Sequence, residues 1–275
     1  MKVVYFGSDV FLSCFEYFLQ KHEILALYTY HNEEDYFTEY SIVKKAREMG
    51  IPVHYESVTP EEMIRYMQVD GCELFFIAEY NRVLTIPEEV PEFRGINTHS
   101  SLLPQGRSYY PIEAAMERGI THTGVTMHKL TNHLDKGDIL AQRRIAVTDE
   151  MDSIDVYLNC AAHAREMIEA IAENMDTYWM SAEPQKEKLP YWKRPDAALL
   201  TLHHGMERKE AREVFRKYNT MTQLLVNGEW FHVTAFTDGT GPVDKEVRFL
   251  SPTRILYRVK DGHLRLHIHP MEVQK

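Results

Sequence analysis

The sequence predicts an α/β protein in which a doubly wound, mostly parallel sheet is followed by a small β-rich domain. Over the first 175 residues, short apolar runs alternate with stretches whose apolar residues have helical spacing. This alternation is typical of parallel strands joined by helices. After a charged, proline-rich stretch, strand signals separated by tight-turn dipeptides dominate instead. A chain of 275 residues, 44% of them hydrophobic, is long enough to bury one large core and a smaller one.

The early elements can be read in order. The buried strands predicted by apolar runs are KVVYFG, EILALYTY, PVHY, ELFFIAEY and the stretch that ends in GINTHSS. The helices predicted between them are DVFLSCFEYFLQKH, TEYSIVKKAREMG and TPEEMIRYMQ. The last of these opens with Thr59, Pro60 and Glu62, which combine an N-cap, a first-turn proline and a capping box.

The later elements complete the first domain, which we predict to span residues 1–180. PIEAAMERG and DSIDVYLNCAAHAREMIEAIAENM have helical patterns, and TGVTMHKL and GDILAQRRIAV are typical of strands. Residues 181–197 hold three prolines and many charges, which indicates a linker. Residues 198–275 are predicted to form a β-rich domain, in the form of an open barrel, with one helix and hairpins at Asn227-Gly228 and Asp261-Gly262.

Charge and cysteine content limit the classes of function. The formal net charge of −10 repels phosphate backbones, so a tRNA partner is not expected. Cys14, Cys72 and Cys160 form no C-x-x-C pair, which fits a reducing compartment without a disulfide framework. No apolar run reaches the roughly 18 residues that a membrane helix needs. We therefore expect a cytoplasmic protein with no membrane partner, and the sequence leaves its oligomeric state open.

Two polar clusters stand out against this background. Asn97 and His99 are one residue apart at the end of a predicted strand, so their side chains share a face of the sheet. In doubly wound sheets, ligands bind beyond the carboxyl ends of the strands. Asp135 lies in the second cluster, HLDKGDIL, which on its own is more typical of a surface turn than of a functional site.

The order of these motifs resembles that of the formyltransferase family that uses 10-formyltetrahydrofolate. The resemblance rests on the opening VVYFGS, on Asn-x-His followed by SLLP, on TGVT, and on LDKGD, whose Asp135 follows His99 by 36 residues. It covers about residues 1–175 and implies a Rossmann-like catalytic domain. It also implies that Asn97 and His99 stabilise an oxyanion, and that Asp135 acts on His99 and helps to move a proton from the attacking amine.

The resemblance also implies the binding sites. The folate co-substrate is expected against Arg82, Val83, Leu84, Leu134 and Asp138, although Val83 and Leu84 are equally consistent with ordinary core. AEYN departs from the glycine-containing form of this segment in several relatives. The acceptor is expected near Arg107, for a phosphate or carboxylate, and near Tyr109 and Tyr110, for stacking; plain packing of these tyrosines is the alternative.

Other motifs predict no further cofactor. GSDVF lacks the glycines of a dinucleotide-binding turn, so a nicotinamide cofactor is not expected. His267 and His269 share a strand face but have no third ligand at an obvious spacing, so no metal is expected.

Three hypotheses for the function remain. Charge and the short second domain favour formylation of an amino sugar linked to a nucleotide. The first alternative is methionyl-tRNA formylation, and the second is a non-catalytic folate-binding module on the same fold. Glycinamide ribonucleotide is a less suitable acceptor, because its formylation needs no second domain.

Overall fold

The computed structural model describes residues 1–31, 39–90, 92–187, 189–240 and 245–271. The chain forms two compact units, each assembled from separate stretches. The first unit comprises Met1–Ile112, Thr121–Val147 and Val156–Trp192. The second comprises Glu113–Ile120, Thr148–Asp155 and Lys193–Lys275.

A mostly parallel sheet forms the centre of the first unit. Within the described residues its seven strands are β1 (Lys2–Gly7), β2 (Glu23–Tyr28), β3 (Val53–His54), β4 (Leu74–Ala78), β5 (Gly95–His99), β6 (His122–Lys129) and β7 (Ile139–Ala146). Their order is β3-β2-β1-β4-β5-β6-β7. All pairs up to β5 are parallel, whereas β6 is antiparallel to both β5 and β7. The predicted fold class is therefore confirmed, with an antiparallel edge.

Helices separate several strands of this sheet along the chain or follow its last strand. They are α1 (Leu12–Lys21), α2 (Ser41–Glu48), α3 (Pro60–Gln68), α4 (Pro111–Glu117), α5 (Ser153–Glu173) and α6 (Met175–Met180). Most of α4 belongs to the second unit. The capping box predicted for α3 is present, because Thr59 and Glu62 each bond to the other's backbone N–H. Thr38, where the predicted pattern of α2 began, lies outside the described residues. No helix in the described part of the chain is long and apolar enough to cross a bilayer.

The direction of the strand order reverses between β1 and β4. In open α/β sheets a crevice forms at such a reversal, beyond the carboxyl ends of the two strands. Both strands are buried on their two faces, as their continuous apolar runs predict. β1 ends at Gly7, where a Cβ atom would lie 2.1 Å from the carbonyl oxygen of Ala78. Only glycine permits this close approach, so the ends of β1 and β4 lie side by side under the crevice.

The second unit contains an open antiparallel sheet. Its elements are α7 (Ala197–Leu200), β8 (Thr201–Leu202), α8 (Arg208–Tyr218), β9 (Gln223–Val226), β10 (Glu229–Asp238), β11 (Val247–Ser251), β12 (Arg254–Val259) and β13 (Gly262–Pro270). Counted over the described residues, six strands follow the order β11-β12-β13-β10-β9-β8, and only β8 and β9 are parallel. The sheet has two edges and forms no closed barrel. Its core packs Val233, Ile255 and Leu266 with Ala211 of α8.

Both predicted hairpins are present. Asn227 and Gly228 have φ values of 52° and 87°, as the two central residues of a type I′ turn require. In the second hairpin Val259 pairs with Gly262, so the loop residues are Lys260 and Asp261. The predicted Asp-Gly turn is thus displaced by one residue, because Gly262 already belongs to β13.

Candidate active site

The polar residues predicted to act together meet at the carboxyl end of β5. Asn97 and His99 are alternate residues of this strand, and Asp135 follows β6 in the loop that leads to β7. The Nδ2 atom of Asn97 lies 3.4 Å from Oδ1 of Asp135. The Nδ1 atom of His99 lies 3.7 Å from the same oxygen. The structure therefore brings the three residues together around one carboxylate oxygen, in a region where His99 and Asp135 are buried.

The proton positions on His99 follow from its neighbours. The Nε2 atom of His99 lies 2.9 Å from the carbonyl oxygen of Gly106, which can only accept a hydrogen bond. Nε2 therefore carries a proton in every protonation state of the ring. The proton that His99 can gain or lose is on Nδ1, the atom that faces Asp135.

A second histidine, His128 on β6, completes the cluster, and the sequence analysis did not single it out. Its Nδ1 atom donates to the carbonyl oxygen of Lys129 at 2.9 Å, and its Nε2 atom lies 3.0 Å from Nδ2 of Asn97. Burial lowers the pKa of His128 to about 4, with Asp135 opposing the shift. The ring is therefore neutral at neutral pH, and its bare Nε2 accepts from Asn97. This bond fixes which way the Asn97 amide points.

Two side chains hold the loop that carries Asp135. The Nε atom of Arg107 donates to the carbonyl oxygen of Asp135 at 3.1 Å, and Nε2 of Gln185 donates to the same oxygen at 3.0 Å. Gln185 also donates to the carbonyl oxygen of Gly137 at 2.8 Å, and its own Oε1 accepts from Arg107. Asp135 has a φ of 52°, and this pair of donors supports its left-handed backbone. Gln185 lies in the segment that the sequence analysis assigned to the linker.

Arg107 was expected to bind a phosphate or carboxylate of the acceptor. In the structure it is buried, and its three guanidinium nitrogens all donate to protein oxygens: the carbonyls of Asp135 and Leu189 and the side chain of Gln185. This geometry gives Arg107 a part in supporting the Asp135 loop, and its contact with an acceptor stays a prediction.

The cleft beside the cluster is lined by several of the residues expected to bind folate. Leu84 is buried, whereas Val83 and Leu134 expose 71% and 51% of their surface at its wall, and Arg82 is also part of the lining. Asp138 is not part of the lining; it forms an ion pair with Lys129 at 3.7 Å.

The two tyrosines expected near the acceptor differ in position. Tyr109 lines the cleft, is 54% exposed, and donates to the carbonyl oxygen of Asn81 at 3.4 Å. Tyr110 lies outside the lining and packs edge-on against Tyr109 with their ring centres 5.0 Å apart. Tyr191 is a further half-exposed aromatic residue of the lining that the sequence analysis did not identify.

Glu79, at the end of β4, also lines the cleft. Its φ of 58° puts it in the left-handed region, where a non-glycine residue costs about 1–3 kcal/mol. Burial raises the pKa of its carboxyl group, and the charge of His99 opposes this shift. A carboxyl group at this point was not anticipated, although the sequence places it directly after an apolar strand.

No metal-binding group emerges from the described ranges, in which no three His, Cys, Asp or Glu side chains are suitably placed. Beside the carboxyl ends of β4 and β5, the cleft brings together the amide of Asn97, the imidazoles of His99 and His128, and the carboxyl groups of Glu79 and Asp135. Such a set can stabilise a developing negative charge on oxygen and transfer protons.

Comparison with known proteins relates this chain to formyl transferases. The model of the family described as formyl transferase matches residues 28–171, more than half of the chain. Methionyl-tRNA formyltransferase of Fusobacterium nucleatum is 28% identical over 207 residues, which are 71% of this chain and 65% of that protein. The chain thus spans slightly less than two thirds of the length of this curated relative.

Two solved structures show the same fold. HypX from Aquifex aeolicus in complex with tetrahydrofolic acid is 17% identical and has a TM-score of 0.70, over 99% of this chain and 44% of that one. The N-formyltransferase from Helicobacter canadensis in complex with folinic acid and dTDP-3-aminofucose is also 17% identical. Its TM-score is 0.62, over 98% of this chain and 99% of that one.

Proposed function

Because the chain belongs to the formyl transferase family, we propose that it transfers a formyl group from 10-formyltetrahydrofolate to a primary amine. The observation that carries this proposal is the meeting of Asn97, His99 and Asp135 around one carboxylate oxygen in the cleft. An amide and an imidazole at this spacing suit a reaction in which a carbonyl oxygen gains negative charge.

The chemistry assigns a role to each of these groups. The amine nitrogen attacks the formyl carbon, and the formyl oxygen becomes negatively charged. When the carbonyl forms again, the bond between the formyl carbon and the folate nitrogen breaks, and tetrahydrofolate leaves with the proton that the attacking nitrogen has lost. Asn97 donates one Nδ2 hydrogen to His128, which fixes the orientation of the amide. Its other Nδ2 hydrogen, which faces Asp135 at 3.4 Å in the structure, turns to the formyl oxygen. The Nδ1 atom of His99 carries the mobile proton and shares it with Asp135. Their separation of 3.7 Å is long for a direct hydrogen bond, but catalytic hydrogen bonds often shorten once substrate is bound.

The wall of the cleft fits a folate. A pterin is a flat ring with hydrogen-bonding edges, and Val83, Leu84 and Leu134 provide apolar surface beside the catalytic groups. Ligand sites commonly combine apolar walls with a few polar groups in this way. Arg82 is exposed at the same wall, where it suits the acidic tail of a folate.

For the acceptor, we favour an amine of a nucleotide-linked sugar. The net charge of −10 disfavours a polyanion. The basic run on α8 is also neutralised locally, because Arg208, Arg212 and Arg216 pair with Asp261, Asp238 and Glu213. A protein of the same fold and nearly the same length is an N-formyltransferase whose structure contains dTDP-3-aminofucose.

Methionyl-tRNA is the second candidate acceptor, since the curated relatives that match in sequence are methionyl-tRNA formyltransferases. A non-catalytic folate-binding role is the third candidate. Folate binding alone would not require the side chains of Asn97 and His99 to meet the Asp135 carboxylate. It also would not require His128 to orient Asn97, or Arg107 and Gln185 to hold the Asp135 loop, so this role is disfavoured.

A direct transfer assay tests the proposal. The full chain is incubated with 10-formyltetrahydrofolate and, in separate reactions, with dTDP-3-aminofucose, a UDP-linked 4-amino sugar and methionyl initiator tRNA. We expect formylation of a sugar nucleotide and only weak, steeply salt-dependent binding of tRNA. Formylation of the tRNA alone would transfer the proposal to the second candidate. Folate binding without any transfer would support the third.

A further inference from the structure

Glu79 has two properties that its place in the fold does not explain: a strained backbone and a carboxyl group without a hydrogen-bond partner among the described residues. Over the described residues, four non-glycine residues have positive φ: Glu79, Asp135, Asn219 and Asn227. Asparagine and aspartate tolerate this region, whereas glutamate has no such preference. Glu79 therefore carries a strain that a glycine would remove, at a position that lines the cleft. Backbone strain of this kind is found at functional sites.

The Glu79 carboxyl group is also short of protein partners. No hydrogen bond or ion pair to it is found within the part of the chain that the structure describes. It lies at the carboxyl end of β4, next to β5, whose last residue is His99. The Glu79 side chain is half-buried at the wall of the cleft, so a ligand that displaces water from it must supply a donor to this carboxylate.

The groups around Glu79 come from three other elements. His99 on β5 is the one whose positive charge would stabilise the carboxylate. Tyr30, after β2, and Cys160, on α5, each have a raised pKa, mainly through burial, and Glu79 adds to both shifts. Both groups are therefore neutral at neutral pH, and neither supplies the positive charge that would compensate the carboxylate.

We propose that the Glu79 carboxylate binds the ammonium group of the acceptor and removes the proton that must leave before the amine can attack. This inference rests on the proposed formyl transfer and extends it to how the acceptor enters. A primary amine at neutral pH is mainly an ammonium ion, which supplies both the charge and the donors that Glu79 lacks.

The proton balance of this step is simple. One N–H bond of the ammonium ion breaks, its proton moves to an oxygen of Glu79, and a neutral amine and a carboxylic acid result. The freed electron pair of nitrogen forms the new bond to the formyl carbon. Burial, which raises the pKa of Glu79, makes its carboxylate a stronger base than an exposed one.

The test compares Glu79→Gln and Glu79→Gly with the wild-type chain and with Glu48→Gln, an exposed glutamate on α2, as the matched control. Transfer is measured against pH with whichever acceptor of the panel the wild type uses. We expect Glu79→Gln to lower kcat/KM for that acceptor by about 100-fold at neutral pH. The deficit should shrink as the pH approaches the pKa of the amine, because the amine then loses its proton without help. Folate affinity should not change.

Two further measurements separate this role from a structural one. Glu79→Gln should weaken binding of dTDP-3-aminofucose but not of dTDP, which lacks the amine. Glu79→Gly should melt about 2–4 °C above the wild type, because it removes the backbone strain, while transfer still falls.

The outcomes are distinguishable. A wild-type chain that formylates none of the acceptors overturns the proposed function and this inference with it. A wild type that is active, beside a Glu79→Gln variant within about two-fold of it at every pH, overturns this inference alone. A Glu79→Gly variant that melts below the wild type would remove the strain argument on which the proposal depends.

Discussion

Asn97 donates from its Nδ2 atom to Nε2 of His128 across 3.0 Å, between two antiparallel strands in which these residues are direct partners. Because Nδ1 of His128 is committed to the carbonyl oxygen of Lys129, the ring accepts from Asn97 only while it is neutral. The orientation of the proposed oxyanion donor therefore depends on the protonation of a neighbour that need not touch substrate.

This relationship predicts a loss of stability in acid. The pKa of His128 falls from 6.5 to about 4 in the folded chain because the ring is buried. Between these values the unfolded chain binds a proton that the folded chain does not, so stability decreases as the pH falls from 6.5 to about 4. The full difference corresponds to about 3 kcal/mol.

Denaturant unfolding across this pH range measures the effect. His128→Gln should flatten the dependence, and His122→Gln, an exposed histidine on the same strand, serves as the control. An equally steep dependence in His128→Gln would contradict the assignment.

Removal of the Asn97 amide should affect the rate more than binding. We expect Asn97→Ala to lower kcat by about 100-fold or more, because an oxyanion donor acts only when charge develops. Folate affinity, measured by equilibrium titration, should be retained. Loss of folate binding with an unchanged rate per bound complex would instead assign Asn97 to the binding site.

Gln185 should behave as a positioning residue. Gln185→Ala leaves the carbonyl oxygen of Gly137 without this donor and that of Asp135 with Arg107 alone. We expect kcat to fall about tenfold, with little change in the KM for the acceptor, because the variant misplaces the carboxylate of Asp135, for which we propose a catalytic role. Gln20→Ala, at an exposed position of α1, is the matched control. An unchanged kcat and pH profile would show that the loop holds its shape without Gln185.

The thiols of Cys14, Cys72 and Cys160 should not react in the folded chain. All three are buried, and burial raises the pKa of each to about 12. The thiolate is the reactive form, so its population at mildly alkaline pH is negligible. A colourimetric thiol reagent should detect none of the cysteines in the native chain and all three after denaturation. Rapid labelling of the native chain would contradict their burial.

The parts of the fold that depend on local pattern are predictable from the sequence. The apolar runs of β1 and β4 predict buried strands, and the capping residues of α3 predict where that helix begins. The separation of Asn97 and His99 by one residue likewise requires that they share a strand face. These features need no knowledge of distant residues, which is why the fold class and the shared strand face of Asn97 and His99 can be inferred from the residues themselves. The place of Asp135 beside them is implied only by the family resemblance.

The positions of the supporting residues depend on long-range contacts and cannot be predicted from local sequence. His128 lies in a strand pattern in which a histidine carries no special signal, and only the antiparallel pairing with β5 places it opposite Asn97. Gln185 follows a proline in a charged stretch that has the composition of a linker. The strain at Glu79 lies in its backbone angles, which the residue type does not predict. The sequence shows only that a charged residue directly follows the apolar strand LFFIA.

The bonds of Gln185 have a consequence for dividing the chain into fragments. A fragment that ends at residue 180, where sequence composition puts the domain boundary, keeps every strand of the seven-stranded sheet. It lacks Gln185 and also Trp192, whose N–H donates to the carbonyl oxygen of Arg107 at 2.7 Å. Such a fragment retains the sheet and the side chains of Asn97, His99 and Asp135, but it lacks the residues that hold the Asp135 loop. The sheet is complete at residue 180, whereas the contacts that hold the cleft in shape extend to residue 192.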